Sequence, residues 1–233
     1  MDRNVNYLII ILNNNNNNKF KHENPYTVGI EEEYMICDPE SGDLINRANE
    51  IMDELDTSLI ERYSYELILS EIEVNTSVCN NVKDAMEEIA FLRDNTRELG
   101  RKLGFKLGIS GTHPTALSDN QTFVDNESYN WVTTELKEYA RQNITFSTHV
   151  HIGLDSKDMI LSILNIANAW IAPLIALSAN SPFFAGVNTG MHSSRTFQFG
   201  IFPRTNILHN IKDIENYNSI VNNLTKSKAI GKP

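Results

Sequence analysis

The chain has 233 residues, 41% of them apolar, and a formal charge of −10 from 20 basic and 30 acidic side chains. The apolar content suffices for a core and excludes a wholly disordered chain. The acidic balance, with no Lys/Arg run, excludes a non-specific nucleic-acid binder, and two cysteines, Cys37 and Cys79, exclude a disulfide scaffold or a four-cysteine zinc site.

Residues 1–24, with the tract Asn13 to Asn18, read as a low-complexity leader outside the fold, leaving 25–233 as one domain. The apolar run Tyr7 to Leu12 is short for a signal-peptide core, and no stretch is expected to be long enough to span a bilayer. A soluble cytoplasmic protein is therefore expected, and the cysteine usage fits a reducing compartment. Residues 26–37 read as a strand closed by a turn at 38–42, and 68–76 as a second strand. Ala85, Ile89, Leu92, Leu99 and Leu103 recur at helical spacing and predict an amphipathic helix over 82–103. A short strand over 106–110 leads into Gly111-Thr112-His113-Pro114, and a helix is expected over 128–141. Over 144–154 the pattern alternates. Ile144, Phe146, Thr148, Val150 and Ile152 share one face, and Thr145, Ser147, His149 and His151 share the other, as in a half-buried strand. Residues 158–179 predict a long, buried apolar helix kinked at Pro173. A polar loop over 181–194, a short strand over 197–202 and a helix over 213–228 complete the reading. No Gly-rich phosphate loop follows a strand, which favours α+β over a doubly wound nucleotide fold.

Four clusters could carry chemistry. In Gly29-Ile30-Glu31-Glu32-Glu33-Tyr34, the strand period sends Glu31 and Glu33 to one face and Glu32 to the other. Adjacent carboxylates repel unless a cation lies between them or one is protonated; the alternative is a charged, solvated strand edge. Glu71 and Glu73 share a face in the same way, and Glu66 lies where a turn could bring it to the same mouth. His149 and His151 have a metal-ligand spacing that could form a zinc site with His113; the alternative is hydrogen bonding to substrate or neighbours. Arg195 and Arg204 follow the polar loop and could hold carboxylate or phosphate oxygens, or be surface arginines.

Six blocks together resemble the glutamate–cysteine ligase type 2 group of carboxylate–amine ligases. They are Gly29 to Tyr34, Ser70-Glu71-Ile72-Glu73-Val74, Gly111 to Pro114, Thr148-His149-Val150-His151-Ile152-Gly153, Leu177-Ser178-Ala179-Asn180-Ser181-Pro182, and Ser194-Arg195 with Phe202-Pro203-Arg204. The resemblance implies a glutamine-synthetase-like catalytic fold, a curved antiparallel sheet with helices packed on one side. It implies ADP-forming ligation of glutamate to an amine such as cysteine through a γ-glutamyl phosphate, with ATP and Mg2+ as cofactors. It marks Glu31, Glu33, Glu66 and Glu73 as metal carboxylates and His151 as a histidine near the metal–phosphate site. His149 and Arg195 would contact the nucleotide, and Arg195 and Arg204 the phosphate or the acceptor carboxylate. Partners would be small molecules, with neither nucleic acid nor membrane, and a homodimer is compatible. The resemblance also implies further strands beyond residue 233. The expectation is thus a C-terminally truncated chain with an incomplete sheet, and its rival reading is an inactive remnant or partner subunit.

Overall fold

The computed structural model describes residues 26–142, 144–201, 205 and 210–230. The Asn-rich leader and Arg204 lie outside the described residues. The chain divides into two compact units. One comprises Thr27–Ile152 and Ile175–Thr205; the other comprises Gly153–Leu174 with the described residues at 26 and 210–230.

The first unit is built on an antiparallel sheet. Its central strand, β1 (Val28–Cys37), pairs along one edge with β3 (Glu71–Asn75), which in turn pairs with β2 (Tyr63–Tyr65). Its other edge is shared. β5 (Thr148–Ile152) takes the first half, and β4 (Lys106–Gly108) takes the last three residues. The alternation read from the sequence is realised on β1. Val28, Ile30, Tyr34 and Ile36 enter the core with Ile72 and Val74 of β3, and Glu31 and Glu33 take the opposite side.

One long helix, α2 (Val82–Leu103), lies behind the core face, after a short α1 (Ala48–Asp53). Asn81 caps α2 by accepting from the Asp84 amide at 3.0 Å, a contact worth about 1 kcal/mol. Ala85, Ile89, Leu92, Thr96 and Gly100 form its buried stripe. The helix stops at Gly104, whose φ of +78° is open to glycine at no steric cost. Within the stripe, a Cβ on Gly100 would lie 2.7 Å from the Phe105 carbonyl oxygen. Backbone cannot yield there, so Gly100→Ala is expected to cost about 1–3 kcal/mol by overpacking, read as a lower urea midpoint at unchanged m-value.

The α+β expectation holds, with helices behind one face of an antiparallel sheet. Several local readings change. The helix expected over 128–141 is two, α3 (Glu127–Leu136) and α4 (Glu138–Gln142), broken at Lys137, where φ is +50°. The polar loop contains a two-residue hairpin, β6 (Phe183–Phe184) and β7 (Val187–Asn188), turning through Ala185 and Gly186, both at positive φ. The strand expected over 197–202 begins instead as a short helix, α7 (Arg195–Phe199). The helical i,i+4 spacing sets the Arg195 guanidinium 4.9 Å from the Phe199 ring centre. β5 is exposed on both faces, with Val150 63% accessible, because among the described residues it pairs only with β1.

In the second unit, α5 (Lys157–Ala167) starts at a Ser156 cap and passes through a 3-10 turn, Asn168–Trp170, into α6 (Ile171–Ser178), which runs on into the first unit. The turn falls where Pro173 denies residue 169 its helical hydrogen bond, as the kink reading requires. The expected burial fails: Trp170 is 60% and Leu177 84% exposed. The stretch Asp158–Ser178, 21 residues, is also long and apolar enough to cross a membrane by length and composition, which corrects the expectation that none is. Its mid-helix Asn165 nevertheless clasps the Ile211 backbone, donating at 2.8 Å and accepting at 3.1 Å. Asp213 then caps α8 (Ile214–Lys226).

Candidate active site

The two faces of β1 do different work. Behind the sheet, Glu32 takes a bidentate pair from Arg93 of α2 at 2.6 and 3.2 Å and a hydrogen bond from the Tyr34 hydroxyl. Glu32 is thus a neutralised structural carboxylate. It ties the strand to the helix directly between the two glutamates that face the other way.

On the front face, antiparallel register sets Glu33 opposite Glu73, and Glu31 opposite both Asn75 and His149. His151 stands opposite Gly29. Glu66, on the segment between β2 and β3, reaches Glu73 and hydrogen-bonds it. Two sets of ligand atoms each lie within 4.8 Å of one another: Glu33, Glu66 and Glu73, and Glu31, Glu73 and His149. Glu73 belongs to both. The structure therefore brings Glu31, Glu33, Glu66, Glu73 and His149 together, with His151 alongside.

Electrostatics divide the carboxylates. Glu31 accepts from His149 Nδ1 at 2.9 Å and is 3.1 Å from His151 Nε2; these contacts pull its pKa down to about 2 and raise both histidines. Burial first, then neighbouring carboxylates, pushes Glu66 up to about 9. Burial likewise raises Glu33, Glu71 and Glu73. Glu71 is fully buried among the others, and its Oε1 has no hydrogen-bond partner among the described residues. Tyr129 donates to the Tyr65 carbonyl at 2.8 Å, and burial beside Glu66 and Glu73 raises its pKa too. Buried, crowded carboxylates are costly without a counter-charge. One set is all oxygen and the other is two carboxylates with one imidazole, a donor chemistry that matches a hard divalent cation.

Arg195 borders this face. Its Nε donates to the Phe146 carbonyl at 2.9 Å, and its terminal nitrogen donates to Ser147 Oγ. Burial lowers its pKa, opposed by Glu33 and Glu71. The motif blocks build its seat. A Cβ on Gly111 would lie 3.0 Å from Arg195 Cδ, and the Gly111 amide donates to Asn180 Oδ1 at 2.9 Å. Ser181 Oγ accepts from the Arg195 amide at 3.2 Å, and Ser194 Oγ donates to the Ser181 carbonyl at 2.6 Å.

His113 does not join the other histidines. Its Nδ1 accepts from the Thr115 and Ala116 amides at 3.2 and 3.0 Å, and its Nε2 faces the Gly42 carbonyl at 2.9 Å. Both ring nitrogens are spent on backbone, so the three-histidine zinc site is not formed. Sequence reasoning gave no role to Ser147, Tyr129 or Glu71. Only Glu71 carried a signal, its strand period with Glu73.

The family model described as glutamate–cysteine ligase family 2 matches residues 27–230. A protein of Herpetosiphon aurantiacus named provisionally as a glutamate–cysteine ligase 2 is 37% identical over 206 residues, 88% of this chain and 54% of that one. A like-named protein of Solibacter usitatus is 36% identical over 205 residues, covering 88% and 53%. The chain spans about half the length of these curated relatives. Among solved structures, a bifunctional glutathione synthetase from Pasteurella multocida superposes with a TM-score of 0.64 at 13% identity, covering 88% of this chain and 31% of that one. A glutamate–cysteine ligase from Francisella tularensis in complex with AMP gives 0.56 at 14% identity, covering 91% and 49%.

Proposed function

The chain belongs to the glutamate–cysteine ligase family 2, and from that premise we propose that it is the site-bearing part of an ATP-dependent carboxylate–amine ligase. The γ-carboxylate of glutamate attacks the γ-phosphorus of ATP, giving γ-glutamyl phosphate and ADP. An amine, such as that of cysteine, then displaces phosphate and forms the amide. Phosphoryl transfer of this kind needs positioning and charge neutralisation more than a protein nucleophile. The observation that carries the reading is the front face of β1 and β3, where five glutamates and two histidines converge beside a braced arginine.

Glu33, Glu66 and Glu73 would hold one Mg2+, and Glu31, Glu73 and His149 a second. Bound Mg2+ would supply the charge that lets anionic phosphates approach one another. Glu31 holds His149 and His151 in place, and His151 offers a hydrogen bond at the rim of the site. Arg195 offers a fixed cation to a phosphoryl oxygen or an acceptor carboxylate, and Arg204 is given the same role from the motif alone. The reading places the protein in the cytoplasm, acting on small molecules without nucleic acid or membrane; a homodimer is compatible. Residues 1–24 are taken as a leader and 25–233 as the catalytic portion.

The alternative reading is a partner subunit or inactive remnant of such a ligase. ADP release from Mg-ATP and glutamate, with and without cysteine or a panel of amines, separates the two. Amine-dependent ADP formation is expected. A folded chain that releases none is not by itself the enzyme.

A further inference from the structure

Arg195 lies in the field of Glu33 and Glu71 but spends its guanidinium on the Phe146 carbonyl and the Ser147 hydroxyl. Ser147 in turn hydrogen-bonds the Glu33 carboxylate. A hydroxyl both accepts and donates, so Ser147 forms a neutral link between the arginine and the glutamate. Its place is fixed by backbone, because the Glu33 amide donates to the Ser147 carbonyl at 3.0 Å. The preceding residue is anchored too, with the Phe146 amide donating to Gly111 at 3.1 Å.

Arginine pairs with carboxylates through two parallel, charge-assisted hydrogen bonds. Such a pair on Glu33 would occupy the oxygens that a divalent cation needs. Glu33 is one of the three carboxylates of the first ligand set. We propose that Ser147 is a positioning residue that holds Arg195 one hydroxyl away from Glu33, so that this carboxylate stays available to the cation. The inference rests on the metal assignment made above. It adds that the site's cation and its arginine compete for one carboxylate, with Ser147 deciding between them.

The test is direct Mn2+ binding to the full chain by electron paramagnetic resonance, which needs no turnover, after circular dichroism shows each variant folded. Ser147→Ala frees Arg195 to pair with Glu33 and is expected to weaken Mn2+ binding about tenfold. Ser147→Thr keeps the hydroxyl and should bind as the wild type does. Ser147→Ala combined with Arg195→Met removes the competitor and should recover the lost affinity, which a merely structural defect would not do. Ser147→Gly makes the same deletion if the alanine variant does not fold. Unchanged Mn2+ binding in Ser147→Ala, or no recovery in the double variant, overturns this inference alone. A wild-type chain that binds no Mn2+ overturns the metal assignment and this inference with it.

Discussion

Replacing Glu73 by Gln will abolish amine-dependent ADP formation and at the same time raise the melting temperature of the metal-free protein. Glu73 is the carboxylate shared by both candidate ligand sets. It is buried, accepts from Asn75 Nδ2 at 2.9 Å and hydrogen-bonds Glu66. Glutamine keeps the size and the carbonyl acceptor but removes a titratable carboxyl crowded with Glu33, Glu66 and Glu71. Without a cation, that relief is expected to stabilise the fold by about 1–2 kcal/mol, a rise of roughly 2–8 °C for a chain of this size. With Mg-ATP present, the same change deletes a ligand from both sets, and the expected loss of turnover is at least about 10²–10³-fold. The two measurements point in opposite directions only if the cluster is built for a ligand. A variant that is both less stable and inactive would mark Glu73 as structural, and one that keeps its turnover would remove it from the site.

What the sequence revealed of this site follows from which contacts are local. The period of two along β1 and β3 sends Glu31, Glu33, Glu71 and Glu73 to one side whatever packs elsewhere, and the cap at Asn81 and the stop at Gly104 bound α2 as the pattern predicts. Glu66 lies on no periodic element; a possible turn and the family motif pointed to it, and the chain's path from β2 into β3 delivers it. The misread features depend on partners that no periodicity reports. His113 carries a ligand's side chain, yet the turn after Pro114 points two amides at one of its nitrogens. Residues 158–179 have the composition of a buried helix, but burial depends on what packs against them. Ser147 was assigned correctly to the histidine face, and its link between Arg195 and Glu33 needs the fold to bring residues 33, 147 and 195 together.

The metal-free protein will be most stable near pH 5 and will lose stability toward pH 9, and Mg2+ will flatten that loss. The groups that set this face one another on the front of the sheet: Glu31 and Glu33 from β1, Glu66, Glu71 and Glu73 from β3 and the segment before it, His149 and His151 from β5, with Tyr129 and Arg195 at the border. Glu66 is raised from 4.5 to about 9, so between those values the folded state binds a proton that the unfolded chain does not. Stability then falls as pH rises through that window, at up to about 1.4 kcal/mol per pH unit for each full proton. Glu33, Glu71 and Glu73, also raised, act with the same sign. His149 and His151 are raised above 6.5; what they contribute is complete below 6.5 and is lost as pH climbs through their raised values. Glu31 runs the other way. Lowered to about 2, it contributes stability above pH 4.5 that disappears as pH falls toward 2. A cation on the carboxylates displaces the extra protons, so the rise in melting temperature on adding Mg2+ should grow from pH 6 to pH 8. Calorimetric titration in buffers of different ionisation enthalpy should register protons released on binding. A Mg2+ stabilisation independent of pH, with no proton release, would mean that the cation binds elsewhere and that these carboxylates stay protonated in its presence.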